Sequence, residues 1–232
     1  MCTRYLLLER DYRATLEALD AAVVEEFLSR YNIAVSSMIP VVRAPPQKAG
    51  REAVRLRWGL VPSWSKTDEG ARLANARAET VAEKPSFRDA LRKRRCVIPA
   101  SGFYEWEKVG RNKQPWLFRR RDESPFGFAG LWDRWSAPDG TTLETCTFII
   151  TTEPNELMRP IHDRMPVMLA PADYALWLDP AVTEPAQLAP LLRPPPASSL
   201  SAITVGSRVG NVRFDDPSCL TPVAPQLSLD LQ

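Results

Sequence analysis

A cysteine follows the first methionine, in Met1-Cys2-Thr3-Arg4. A small second residue permits removal of an initiator methionine, and the expected product carries an α-amine and a thiol on adjacent carbons. Such an amine titrates at about 7.7–8.0 and a thiol at about 8.5, so both are partly deprotonated at neutral pH. The amine can condense with an aldehyde and the thiol can close on the resulting imine. The product is a five-membered thiazolidine, an adduct that an internal cysteine cannot form.

Three other segments carry polar residues among apolar or small ones. In Asn75-Ala76-Arg77-Ala78-Glu79-Thr80 the small residues alternate with polar ones. If the segment is extended, Asn75, Arg77 and Glu79 project from one face and the alanines leave room for a ligand; an Arg–Glu salt bridge on the strand is the competing reading. In Ser101-Gly102-Phe103-Tyr104-Glu105-Trp106-Glu107 a carboxylate lies inside an aromatic run. Alternation puts Phe103, Glu105 and Glu107 on one face and Tyr104 and Trp106 on the other. Desolvation of Glu105 raises its pKa and suits it to proton transfer near neutrality, unless the strand is an edge open to water. In Ile161-His162-Asp163-Arg164-Met165-Pro166 stands the one histidine of the chain, the side chain that naturally titrates near neutrality.

The elements that must hold these residues are mostly strands. Strict alternation in Val54–Trp58, and short apolar runs at Cys96–Ile98, Phe103–Trp106, Trp116–Phe118, Phe126–Trp132 and Thr147–Thr151, predict them. Spacings of three and four among Leu16, Leu19, Val23 and Phe27 predict one long helix over Asp11–Arg30. Shorter helices are expected at Pro85–Arg94, Glu153–Met158 and Pro171–Leu178. Without regular βαβ alternation this reads as an α+β fold, a single domain on a twisted antiparallel, barrel-like sheet with flanking helices. Asp179–Ser199 is expected to be a loose surface excursion. Residues 1–221 would form the domain and 222–232 a flexible tail.

Composition narrows the function classes. The chain has 232 residues and a net charge of +2, and its early apolar run Tyr5–Leu8 is broken by Glu9, Arg10 and Asp11, so neither a signal peptide nor a spanning helix is expected. Cys2, Cys96, Cys146 and Cys219 have neither metal-ligand spacing nor disulfide density, which fits a reducing cytoplasm. There is no nucleotide-binding glycine loop, and neither a cofactor nor a metal is expected. Arginine greatly outnumbers lysine among the 30 basic residues, a bias compatible with phosphate contacts.

Taken in order, seven segments resemble one family, the SOS response-associated peptidases, also described as abasic-site processing proteins. They are Met1-Cys2-x-Arg4, Arg30-Tyr31-Asn32, Trp58–Trp64, Asn75–Thr80, Gly102–Trp106, Ile161–Pro166 and Val209-Gly210-Asn211-Val212. The resemblance implies a DNA-damage response protein that senses abasic sites in single-stranded DNA. Cys2, exposed by loss of Met1, would capture the ring-opened sugar aldehyde as a thiazolidine. Peptidase-type autoprocessing and a lyase activity are also implied. Asn75 would orient the α-amine, Glu105 would shuttle protons, and His162 would act as acid or base on the sugar and in reversal. Arg4, Asn32, Arg77 and Arg164 would bind DNA, and Trp64 would stack on a base. A nucleoid-associated cytoplasmic monomer is expected.

Two other classes stay open: a thiol peptidase built on Cys2 and His162, and a non-covalent single-stranded DNA-binding module. The final Gln226-Leu227-Ser228-Leu229-Asp230-Leu231 alternates apolar and polar residues. It resembles peptides that dock on the bacterial sliding clamp, with Gln226, Leu227, Leu229 and Leu231 as the anchoring residues.

Overall fold

Alternating and β-branched segments of the sequence become strands that fall into two layers. The structure is a computed structural model, which describes residues 2–22, 26–45, 49–68, 73–151 and 153–225. The strands are β1 (Arg4–Leu7), β2 (Ala21–Ala22), β3 (Arg30–Ala34), β4 (Met38–Arg43), β5 (Arg51–Trp58), β6 (Asn75–Arg77), β7 (Arg95–Ala100), β8 (Gly102–Val109), β9 (Asn112–Arg120), β10 (Phe126–Ser136), β11 (Thr142–Ile150), β12 (Met168–Leu169) and β13 (Leu200–Thr204). The helices are α1 (Glu9–Ala18), α2 (Arg88–Lys93), α3 (Tyr174–Leu178) and α4 (Pro185–Leu188).

Five strands close a barrel in the order β10-β7-β4-β5-β11, with β11 returning to β10. The α+β, barrel-like expectation holds, but the pairing is mixed rather than antiparallel throughout. β11 runs parallel to β5, with Thr145 opposite Arg57, and parallel to β6, with Phe148 opposite Asn75. The second layer, β13-β9-β8-β1-β3, is antiparallel.

One face of this sheet packs against the barrel. Tyr5 meets Trp58, Phe128 and Phe148 edge-on, and Trp58 stacks on Phe148 at 4.3 Å between centroids. Each such side chain removed from water contributes roughly 1.5–3 kcal/mol, so this aromatic group dominates the local packing. Cys2 belongs to the same buried cluster. On the opposite face Leu6, Tyr104 and Leu117 are covered by Val205, Val209 and Cys219.

Two glycines have no substitute here. Gly59 takes φ 123, a left-handed region that disfavours other residues, and donates its N–H to the Cys146 carbonyl at 2.8 Å. At Gly127 an added Cβ would lie 2.2 Å from Val97 Cγ1, so a side chain there would force Val97 and the β10–β7 pairing to shift.

The long helix predicted over Asp11–Arg30 stops at Ala18. Leu16, Leu19 and Phe27 are buried as their spacing requires, but Asp20 turns to φ 46, and the next elements are β2 and β3. Val23 lies outside the described residues. Of Pro85–Arg94 only α2 is helical, and Glu153–Met158 is a turn capped by Asn155, whose Oδ1 accepts from Met158 N at 3.0 Å. Pro171–Leu178 is a 3₁₀ turn running into α3.

The excursion expected over Asp179–Ser199 is anchored rather than loose. It contains α4, and Leu188 is fully buried. At the start of the expected tail, Val223 N donates to Thr204 O at 3.0 Å and Thr204 Oγ1 to Val223 O at 2.6 Å.

Candidate active site

Cys2 precedes β1 and is almost fully buried. Its carbonyl accepts from Asn75 Nδ2 at 2.9 Å, and its thiol lies 3.6 Å from the Arg4 carbonyl. Asn75 starts β6, and it is placed by Trp58, whose Nε1 donates to the preceding carbonyl of Ala74 at 2.9 Å. The Asn75 Oδ1 is buried without a hydrogen-bond partner among the described residues. Leaving such an acceptor unsatisfied costs about 1–3 kcal/mol, so a donor delivered to it is rewarded.

Glu105 sits on β8, the strand paired to β1, with Phe103 on the same face. It is 2% exposed, and burial pushes its pKa up to about 7, against the opposing positive charge of the amino terminus. The edge-strand reading is thereby excluded. Burial also pushes the Cys2 thiol well above its ordinary range, and the charge of Glu105 pushes it further.

His162 follows a turn that leads into the bridge between Pro166 and Ile150. Its pKa is lowered, chiefly by burial and next by the positive amino terminus, while Asp163 works in the opposite direction. Nδ1 faces two partners, Arg164 N at 3.1 Å and Asp163 Oδ1 at 2.8 Å. It cannot accept from the first and donate to the second at once. The lowered pKa selects the neutral ring, in which Nδ1 accepts the Arg164 N–H and the proton resides on Nε2. Asp163 then gains its proton-mediated contact when the ring becomes imidazolium.

Arg164 does not end free at the surface. Its Nη1 contacts Glu79 Oε1 at 2.8 Å and donates to the Thr151 carbonyl at 3.1 Å. The extended reading of Asn75–Thr80 therefore ends at Arg77. Ala78–Thr80 turn, and Glu79 reaches the His162 loop rather than sharing a face with Asn75. Glu79 is the residue that sequence periodicity misplaced, and it joins β6 to the histidine loop.

Arg4 and Asn32 act together on one carbonyl-rich turn. Arg4 Nη1 donates to Asn32 Oδ1 at 2.9 Å and to Val209 O at 2.8 Å, and Nη2 to Gly210 O at 3.0 Å. Asn32 Nδ2 lies at hydrogen-bonding distance from Val209, Asn211 and Phe214 carbonyls. Asp215 completes the strap by accepting from Arg30, Tyr31 N and Asn32 N. These side chains thus hold the 209–215 turn against β1 and β3.

Two predicted residues do face solvent. Arg77 is exposed at the end of β6. Trp64 is 63% exposed, yet its loop is fixed: Val61 N donates to Thr145 Oγ1 at 2.8 Å, Ser63 N to Asp133 Oδ2 at 2.9 Å, and Trp135 Nε1 to Ser65 O at 2.8 Å. Its Nε1 also donates to Pro85 O at 3.4 Å, and a rigidly presented, exposed indole suits stacking on an aromatic ligand. Gln226, Leu227, Leu229 and Leu231 lie outside the described residues. No group of three or more metal-ligating side chains occurs among the described residues.

Residues 1–212 match the model of the family "SOS response associated peptidase (SRAP)". The chain belongs to the SRAP family. It is 41% identical over 228 residues to the abasic site processing protein YoaM of Bacillus subtilis, covering 95% of this chain and 97% of that one. To YoqW of the same organism, also named an abasic site processing protein, it is 42% identical over 197 residues, covering 84% and 87%. A crystal structure of a protein from Bacteroides thetaiotaomicron shares the SRAP fold with a TM-score of 0.85 at 28% identity, covering 96% of this chain and all of the other.

Proposed function

We propose that this SRAP chain, once Met1 is removed, captures abasic sites in single-stranded DNA as a covalent thiazolidine on Cys2. The observation that carries this reading is the buried Glu105, whose pKa burial raises to about 7 and whose charge acts on the Cys2 thiol. The names of the relatives, abasic site processing proteins, supply the substrate class.

The chemistry balances without a redox partner. The α-amine adds to the C1′ aldehyde, and the carbinolamine loses water to give an imine. The thiol sulfur then bonds to that carbon while its proton goes to nitrogen. Glu105 accepts a proton from the amine and returns one to the departing hydroxyl. Asn75 holds the Cys2 carbonyl and offers Oδ1 to the α-amine. Neutral His162, with its proton on Nε2, serves sugar opening and reversal; an imine that instead loses its β-phosphate would account for lyase activity. Arg77 and Trp64 meet the DNA directly, whereas Arg4, Asn32 and Arg164 brace the loops around it.

The peptidase reading fits less well. A Cys–His nucleophile needs its thiol pKa lowered by the imidazole, and His162 is not among the groups that shift the Cys2 thiol, which burial and Glu105 raise. A purely non-covalent binder has no use for an amine and a thiol on one residue. For the tail, a sliding-clamp groove remains the proposed partner of Gln226, Leu227, Leu229 and Leu231, tested by titrating a peptide of residues 222–232 against the clamp.

The deciding experiment is intact mass of processed protein mixed with an abasic oligonucleotide. The expected adduct equals the sum of both minus one water and survives denaturation. Cys2→Ser giving an equally stable adduct would overturn the thiazolidine.

A further inference from the structure

The strand that carries Glu105 does not end at the site. β8 continues to Val109, turns through Gly110 and Arg111, and returns as β9. Lys108 and Lys113 are direct cross-strand partners in this hairpin. Both are exposed, and Arg111 is exposed at the turn between them. Like charges placed opposite one another on a sheet are destabilising. The adjacent carboxylate, Glu107, projects from the other face, the one Glu105 shares, and accepts from Trp116 Nε1 at 2.9 Å, so the two lysines leave the sheet on the side opposite Glu105 and a strand reaching them passes the hairpin tip. None of the three cations forms an ion pair among the described residues.

The hairpin is nevertheless well rooted. Gln114 is buried beside the second lysine, and its Nε2 donates to Pro115 O at 2.9 Å and Val205 O at 3.1 Å. Gly110 adopts φ 57, as a tight two-residue turn demands. A rigid rod thus presents three uncompensated positive charges at its tip. With about 3.3 Å of rise per residue, the tip lies ~17–20 Å along the strand from Glu105. That span corresponds to roughly five nucleotides of a stacked strand at about 3.4 Å each.

From this geometry we propose that Lys108, Arg111 and Lys113 form a second anchoring surface for the DNA backbone, gripping phosphates several nucleotides away from the captured sugar. The surface rests on the reading of the site as a DNA site and adds a distance to it. It reads no bases. Its contribution is electrostatic and depends on flank length.

The test uses the full chain with intact single-stranded DNA, so it reports whether or not any adduct forms. Binding is measured against salt for oligonucleotides with long flanks and for ones trimmed to two nucleotides on either side of the central position. Neutralising all three residues (Lys108→Gln, Arg111→Gln, Lys113→Gln) should flatten the slope of log K against log salt by about 2, at roughly 0.7 per phosphate contact. Affinity for the long-flank strand should fall at least tenfold at low salt. The charge-preserving pair Lys108→Arg with Lys113→Arg should bind like the parent. An unchanged slope on long flanks, or an equal loss on trimmed strands, overturns the proposal. Failure of the parent to form any adduct with abasic DNA would instead count against the covalent reading alone.

Discussion

Asn75 binds the Cys2 carbonyl through its amide nitrogen at 2.9 Å while its amide oxygen remains buried and unsatisfied. One side chain therefore fixes Cys2 and, in the proposed reaction, keeps an acceptor in reserve for its α-amine. Asn75→Asp keeps the acceptor but loses the donor to the carbonyl. The expected result is a crosslinking rate lower by about 10–100-fold at saturating DNA, since a buried carbonyl left unsatisfied costs about 1–3 kcal/mol. Single-turnover kinetics read this directly, and an unaltered rate would remove Asn75 from the positioning role.

Glu105 gives opposite signs for activity and stability. In the unfolded chain it titrates at about 4.3, and in the fold at about 7. Between these values the folded state holds a proton that the unfolded state has released. Its contribution to stability is therefore complete below about pH 4.3 and lost as pH rises through 7. Glu105→Gln should be more stable than the parent at pH 8, by at most about 4 kcal/mol, and slower in crosslinking by about 10²–10⁴-fold. Melting curves at pH 5 and 8 check the first part; a gain in stability confined to pH 5 would contradict the sign.

The imidazole of His162 should titrate below the ordinary value of about 6.5, because burial outweighs the charge of Asp163. Asp163→Asn removes that charge and should lower the midpoint further. The single histidine makes the NMR titration unambiguous, and a midpoint raised by the substitution would refute the assigned balance.

Trp64 is exposed on an immobilised loop. Trp64→Ala should weaken single-stranded DNA binding by about 1–3 kcal/mol, the usual worth of one stacked base, with little change in melting temperature. Equal affinity would show that the indole stacks on nothing.

Gly127→Ala tests the barrel closure. The new methyl would overlap Val97, and forced repacking of a tight core costs typically about 1–3 kcal/mol. Denaturant unfolding should report that loss.

Much of this arrangement was legible in the sequence because strands declare themselves through alternation. Glu105 was placed on the same face as Phe103, opposite Tyr104, and each occupies that face in the fold. The helix over Asp11–Arg30 was overextended because Leu19 and Phe27 are buried for different reasons, one at the end of α1 and the other beyond the turn at Asp20. The partners of long polar side chains were not legible at all. Glu79 pairs with Arg164, 85 positions along the chain, and Arg4 with carbonyls 205 and 206 positions away. Such pairings depend on where turns bring segments together, which local spacing does not encode.

The strap from Val209 to Asp215 has a mechanical consequence. A pull on the carboxyl end first meets the short pairing of Val223 with Thr204 and then the hydrogen bonds of Arg4 and Asn32 to this turn. The closed barrel shares no strand with that path. Unravelling from the carboxyl end would thus strip the support beneath β1, and with it the seat of Cys2, while the barrel was still intact. In the proposed reaction, traction from that end would loosen the strand that follows Cys2 before the domain lost its shape.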